Sequence, residues 1–244
     1  MRLTRVHVDL PLAPGIELAL PEAPAVHLAR VLRLGVGDDC VLFNGDGSDY
    51  AARVLAIGKR ELRVVVTATK PVERESPLRV VLLQGIARGE KMDLILQKAT
   101  ELGVVGVHPV ASQRSEVKLD EARAAKRLAH WRNVVIAACE QSGRAVVPVV
   151  SAPATLQDAL GSLSVDGLRL LLDPDGTRSF ATLPSIDGPV LLAVGPEGGW
   201  SPRDRDQLRE AAFEGLRLGP RILRTETAGL AAVAALQARF GDLA

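Results

Sequence analysis

Aromatic side chains are scarce: four Phe, two Trp and one Tyr in 244 residues. Any core must therefore be filled by Val, Leu, Ile and Ala, and the 47% hydrophobic content supplies them. Cysteine is nearly absent too. Cys40 and Cys139 stand alone, without metal-type spacing, and read as buried thiols of a reduced, cytoplasmic protein. His7, His27, His108 and His130 are scattered, so no metal centre is expected. No apolar run approaches the roughly 18 residues of a membrane span. Arg2, Arg5, Asp9 and Glu17 interrupt any signal-peptide core, so no membrane partner is expected. Gly-x-Gly-x-x-Gly and a P-loop lysine are missing, which disfavours dinucleotide and P-loop NTPase readings. The net charge of +1 carries no global signal for nucleic acid. Its distribution says more: residues 1–77 are neutral, 78–150 carry +4 and 151–244 carry −3. A phosphate-binding surface belongs on the middle third, unless that charge is simply a solvated helix face.

What is present centres on two stretches. Val190 to Val194 is a short apolar run, the pattern of a buried strand. Gly195-Pro196-Glu197-Gly198-Gly199 then forces a compact turn whose backbone is open to close approach. Ser201-Pro202-Arg203-Asp204 has the residues of a helix start: a Ser cap, a Pro at the first position and an acid where a capping box wants one. A strand ending in a glycine turn that opens a helix is where α/β proteins bind ligands. It is equally the form of an ordinary tight turn. The second stretch runs from Leu218 through Gly219, Pro220, Arg221, Ile222, Leu223, Arg224, Thr225, Glu226 and Thr227 to Ala228. It lies between a short strand at Leu216 to Gly219 and an alanine-rich helix over Ala228 to Phe240. Charged groups so placed are costly to bury unless paired or used.

Along the chain, Thr4 to Val8, Asp39 to Phe43, Tyr50 to Ile57 and Glu61 to Thr67 read as strands, with one helix over Ala25 to Leu34. Several short strands with a single helix suggest a small barrel over residues 1–70. Residues 71–77 are polar, bracketed by Pro71 and Pro77, and read as an extended linker. From residue 78 the pattern alternates. Leu78 to Gln84 is a strand, Met92, Ile95, Leu96, Ala99 and Leu102 mark a helix, and Val104 to Pro109 is the next strand. That order implies a parallel sheet and an α/β domain over residues 78–244. A helix from Glu121 to about Glu140, strands at Val146 to Val150 and Leu168 to Leu172, and a weak helix at Ala154 to Leu163 complete it. Asp173-Pro174-Asp175-Gly176 carries two acids, but its Pro and Gly read as a turn rather than a metal site.

The two central stretches resemble the last two motifs of the SPOUT methyltransferases. With the string from Gln84 to Val104 they resemble, more narrowly, the RsmE family, which methylates N3 of a uridine in 16S ribosomal RNA. Val31 to Asp38 resembles that family's N-terminal PUA-like RNA-binding barrel. Gln113-Arg114-Ser115 and the segment Glu140 to Arg144 match shorter family elements. The resemblance covers nearly the full chain. Trp200 stands where Phe is usual, Asp204 replaces Glu, and His7-Val8 replaces a pair that is often aromatic, which weakens the barrel contact assignment.

The resemblance implies a SPOUT-type parallel sheet with a C-terminal deep trefoil knot, a PUA-like β-barrel in front of it, and a homodimer. It implies S-adenosyl-L-methionine as cofactor, held by Leu172, Val194, Gly195, Pro196, Glu197, Gly198, Leu218, Gly219, Ile222, Leu223, Arg224 and Thr225. The partner implied is 16S rRNA of the small ribosomal subunit, with Arg5, Arg33, Lys91, Lys98, Arg114 and Arg144 as RNA contacts. Arg5 and Arg33 equally suit surface salt bridges, Lys98 a pair with Glu101, and Arg144 a helix-end cation. Uridine N3 ionises roughly two units above neutrality, a gap of about 2.7 kcal/mol. One charge-assisted hydrogen bond to the developing anion is worth about 1.5–3 kcal/mol, so an arginine nearly closes that gap. Arg224 is the candidate, with Glu226 or Glu197 as proton acceptor if its pKa is raised. The alternatives are another SPOUT enzyme acting on tRNA or on a ribose hydroxyl, and a non-catalytic ribosome-assembly factor.

Overall fold

A computed structural model describes residues 4–59, 61–114, 121–163 and 166–243. The chain divides into two compact units. One comprises Met1–Glu75 together with Cys139–Val147; the other comprises Ser76–Ala138 and Pro148–Ala244.

The first unit is built on a five-stranded sheet: β1 (Arg5–His7), β2 (Glu17–Ala19), β3 (Asp39–Phe43), β4 (Ser48–Ile57) and β5 (Leu62–Pro71), in the order β1-β3-β4-β5-β2. Only the β1–β3 pair is parallel. Leu62, Val64 and Val66 alternate inward along β5, and they pack with Val6, Leu42 and Val54. Two register shifts between β4 and β5 bend that hairpin. β2 has no sequence signature because a three-residue Glu-Leu-Ala strand lacks β-formers. The helix α1 (Glu22–Val26) starts three residues before Ala25, because Pro24 is tolerated within a first turn. It continues as a widened turn over His27–Val31, with Leu32 N–H bonded to the His27 carbonyl at 3.0 Å. It stops short of Leu34 because Arg33 adopts φ +57°. Part of the stretch read as a linker is tied to the sheet: β5 runs through Pro71, and Val72 N–H donates to the Gly47 carbonyl at 2.9 Å.

The second unit is an α/β sheet in which every recorded pairing is parallel. Its strands are β6 (Val80–Gly85), β7 (Gly106–Ala111), β8 (Val149–Val150), β9 (Ala154–Thr155), β10 (Leu168–Leu172), β11 (Val190–Val194) and β12 (Glu214–Leu216). The order is β12-β10-β11-β6-β7-β8, with β9 also on β7. β6 and β11 sit at the centre and are buried throughout, as a sheet covered on both faces requires. The helices are α2 (Glu90–Glu101), α3 (Glu121–Ser142), α4 (Leu156–Ser162), α5 (Pro202–Glu210) and α6 (Thr225–Phe240). On α2, Met92, Ile95, Leu96 and Ala99 are buried at helical spacing. α5 starts as its residues predict: the Ser201 hydroxyl accepts from Asp204 N–H at 3.1 Å, and the Asp204 carboxylate accepts from Ser201 N–H at 3.0 Å.

Several boundaries differ from the sequence reading. The strand expected over Val146 to Val150 shrinks to β8, because the Ala145 carbonyl instead accepts from Gly47 N–H inside the first unit. β12 ends at Leu216, leaving Arg217 to Arg224 as a strap. α6 begins at Thr225, not Ala228, so Thr225 and Glu226 occupy its first turn and Arg224 its N-cap position.

Candidate active site

From β6 the chain steps to β7 and β8; it then returns to lay β11 beside β6 and β10 beyond it. Where a parallel sheet changes direction in this way, the carboxyl ends of the strands leave a crevice. A cavity of about 380 Å³ opens there, within the size range of cofactor sites. Its walls are the end of β10 (Leu172, with Asp173 beyond), the turn after β11, the strap Leu218 to Arg224, the first residues of α6, and Lys91 of α2.

The turn can lie this close because two positions carry no side chain. A Cβ on Gly85 would stand 2.5 Å from Pro196 N, so β6 and the turn after β11 touch backbone to backbone. Gly219 bends the strap with φ +98°, a conformation that side chains rarely adopt. A hydrogen-bond chain ties the pieces together. Gln84 Nε2 donates to Thr225 Oγ1 at 3.1 Å, and Thr225 Oγ1 donates to the Gly195 carbonyl at 2.5 Å. The centre of the sheet, the turn and the first turn of α6 are thus linked by fully buried or nearly buried groups.

Leu172, Val194, Gly195, Pro196, Glu197, Leu218, Gly219, Ile222, Leu223, Arg224 and Thr225 all border this cavity. Gly198 does not; its carbonyl faces away and accepts from Arg114 Nη1 at 3.1 Å. The acids group around Lys91, whose Nζ lies 3.3 Å from Glu197 Oε1 and 3.7 Å from Glu226 Oε2. Burial acts to raise the Glu197 carboxyl, but the Arg88 N–H bond at 3.1 Å and Lys91 outweigh it and hold it below its ordinary value. That direction is opposite to the raised value expected of a proton acceptor. Glu226 Oε2 is buried with no hydrogen-bond partner among the described residues.

The RNA contacts expected from sequence separate into two groups. Arg5 and Arg144 are buried inside the first unit, where each is paired with a carboxylate. Arg5 donates to Asp49, at 2.6 Å at its shortest, and to the Cys139 and Arg144 carbonyls, and stacks 4.5 Å over Phe43. Arg144 is paired with Glu75. A buried guanidinium engaged in this way has fewer donors left for a phosphate. Arg33 and Arg114 are exposed. Lys98 pairs with Glu101 at 2.9 Å, three residues on. Ser115 lies outside the described residues.

Sequence reasoning missed Asp173 and Arg205, which pair on the cavity wall, Arg205 Nη1 lying 2.9 Å from both carboxylate oxygens. Asp173 also accepts from Asp175 N–H within the turn. Gln84 was missed as well, although a lone polar residue closing an apolar strand is itself a signal that a buried partner exists. Trp200 borders the cavity with its indole N–H buried and unpartnered among the described residues.

Backbone polar groups, apolar side chains and an orphaned indole N–H suit a ligand with a flat heterocycle and hydroxyl groups. The same groups are consistent with family matches along the chain. The model described as RNA methyltransferase domain matches residues 74–237, and that described as RNA methyltransferase PUA domain matches residues 25–67. Ribosomal RNA small subunit methyltransferase E of Buchnera aphidicola (from Schizaphis graminum) is 31% identical over 99% of this chain and 98% of its own. That of Bacillus subtilis is 31% identical over 86% and 85%. The crystal structure of ribosomal RNA small subunit methyltransferase E from Neisseria gonorrhoeae, bound to S-adenosyl methionine, superposes with a TM-score of 0.92 at 37% identity. It covers the whole of both chains. The chain belongs to the RsmE family of RNA methyltransferases.

Among the described residues, no helix is long and apolar enough to cross a membrane, and no three His, Cys, Asp or Glu side chains cluster as metal ligands.

Proposed function

We propose that this chain methylates N3 of a specific uridine in 16S ribosomal RNA of the small subunit, as a cytoplasmic enzyme. The observation that carries this is the cavity at the ends of β10, β11 and β6, with Arg224 on its rim, in a chain of the RsmE family. S-adenosylmethionine, when bound, supplies an electrophilic methyl group on a sulfonium. Leu172, Gly195, Leu218, Gly219 and Leu223 would hold it by backbone groups and apolar contact, and Trp200 would close the floor with its indole N–H as a donor.

Arg224 stands exposed at the N-cap position of α6, where the positive end of the helix reinforces its charge. It would stabilise the negative charge that spreads onto O2 or O4 as N3 loses its proton, an effect of about 1.5–3 kcal/mol. Glu197 is engaged by the Arg88 amide and Lys91, which makes it the weaker base. Glu226 keeps an unpartnered oxygen beside Lys91, and we assign it the proton. In this reading the strap and α6 form the trefoil knot, the first unit closes as a PUA-like barrel that presents RNA, and Arg33, Lys98 and Arg114 meet phosphates. The working form is a homodimer.

The test is nucleoside mass spectrometry on unmodified small subunits incubated with the protein and cofactor. N3-methyluridine is expected, and it should fall sharply with Arg224→Ala. Cofactor binding without any methylated uridine would sink the uridine reading in favour of another RNA target.

A further inference from the structure

Lys91 occupies a position that helix energetics disfavours. It is the second residue of α2, at the positive end of the helix dipole, where a cation is disfavoured. Two carboxylates from different elements offset that cost: Glu197 from the turn after β11 and Glu226 from the first turn of α6. The ammonium thus bridges carboxylates from two elements other than its own. Glu226 reaches the cavity through it, because Lys91 borders the cavity and Glu226 does not.

We propose that Lys91 is a positioning residue for methyl transfer: it holds Glu197 in place and aims Glu226 at the uridine edge, rather than gripping RNA phosphate. The inference rests on the assignment of Glu226 as proton acceptor. The geometry divides the labour. Glu197 Oε1 is taken by the Arg88 amide and by Lys91, whereas Glu226 Oε2 makes no hydrogen bond among the described residues and stands 3.7 Å from the ammonium. A lysine serving only as a phosphate contact would gain nothing from being flanked by two acids, which weaken its attraction for an anion.

The experiment uses the full-length protein with unmodified small subunits. It measures kcat, KM for RNA and cofactor affinity for wild type, Lys91→Gln, Lys91→Arg, Glu226→Gln and the double variant Lys91→Gln/Glu226→Gln. Lys91→Gln should lower kcat by roughly 10²-fold, the lower end of what general acid–base groups contribute. KM for RNA and cofactor affinity should change by less than about threefold. Lys91→Arg should recover most of the loss, since a guanidinium also spans two carboxylates. The double variant should be about as slow as Glu226→Gln alone, as expected when two residues act as one unit. A raised KM for RNA with kcat unchanged would overturn the proposal and return Lys91 to phosphate binding. Multiplying losses in the double variant would also overturn it. If wild type yields no methylated RNA while binding cofactor, the functional reading falls first and this inference with it.

Discussion

Arg5 and Arg144 in the first unit lie almost entirely out of solvent, each against a carboxylate, and Arg5 also against two carbonyls and the Phe43 ring. Arg221 and Arg224 border the cavity of the second unit with their side chains exposed. The same residue type thus serves as an internal brace in one place and stands as exposed positive charge beside a cavity in the other. The burial of neighbouring groups decides which. An arginine enclosed with Asp49 has donors engaged by folding, while one at a helix N-cap over a cavity leaves its guanidinium exposed.

This contrast can be broken in order of expected size. Arg5→Ala should cost about 3 kcal/mol in urea unfolding, because it strands Asp49 and two carbonyls, and leave cofactor affinity unchanged. Unchanged unfolding with weakened RNA binding would reverse the assignment. Arg224→Ala should leave the urea midpoint in place, since its side chain makes no cap hydrogen bond, but reduce kcat by about 10–100-fold. Gly85→Ala should lower stability by about 1–3 kcal/mol and weaken cofactor binding in calorimetry, because the new methyl group meets Pro196 backbone.

The smallest effect separates the units by pH. Burial lowers the His7 pKa from 6.5, against the opposing influence of Asp9 and Glu140. Its folded form therefore resists protonation, and the stability it contributes above that value is lost as pH falls below it. Glu197 is likewise depressed, from 4.5, so its contribution is present above that value and lost only in more acid solution. Thermal unfolding should show wild type losing more than His7→Gln between about pH 7 and 5, and more than Glu197→Gln between about pH 5 and 3.5. Parallel curves for either variant would remove that residue from the pH response.

The central strands and the capping box of α5 were legible because each depends on local pattern: a five-residue apolar run, or a Ser and an Asp three apart. The turn and strap were legible through their glycines and their resemblance to a family. The fates of the arginines were not. Nothing near Arg5 in sequence indicates that Asp49 and the Cys139 carbonyl will meet it, since those partners lie 44 and 134 residues away. The Asp173–Arg205 pair escaped for the same reason, its partners being 32 residues apart. Local chemistry is written locally, whereas ion-pair partners depend on the finished topology.

The first unit takes its last nine residues, Cys139–Val147, from beyond the start of the second. During synthesis the brace around Arg5 cannot be completed until those residues leave the ribosome. At about 5–20 residues per second, the sheet spends roughly 4–14 s after residue 75 with Arg5 lacking its distant carbonyl partners. A chain cut at residue 75 would stay in that unfinished state, so a truncated N-terminal module needs the 139–147 segment supplied in trans or spliced on.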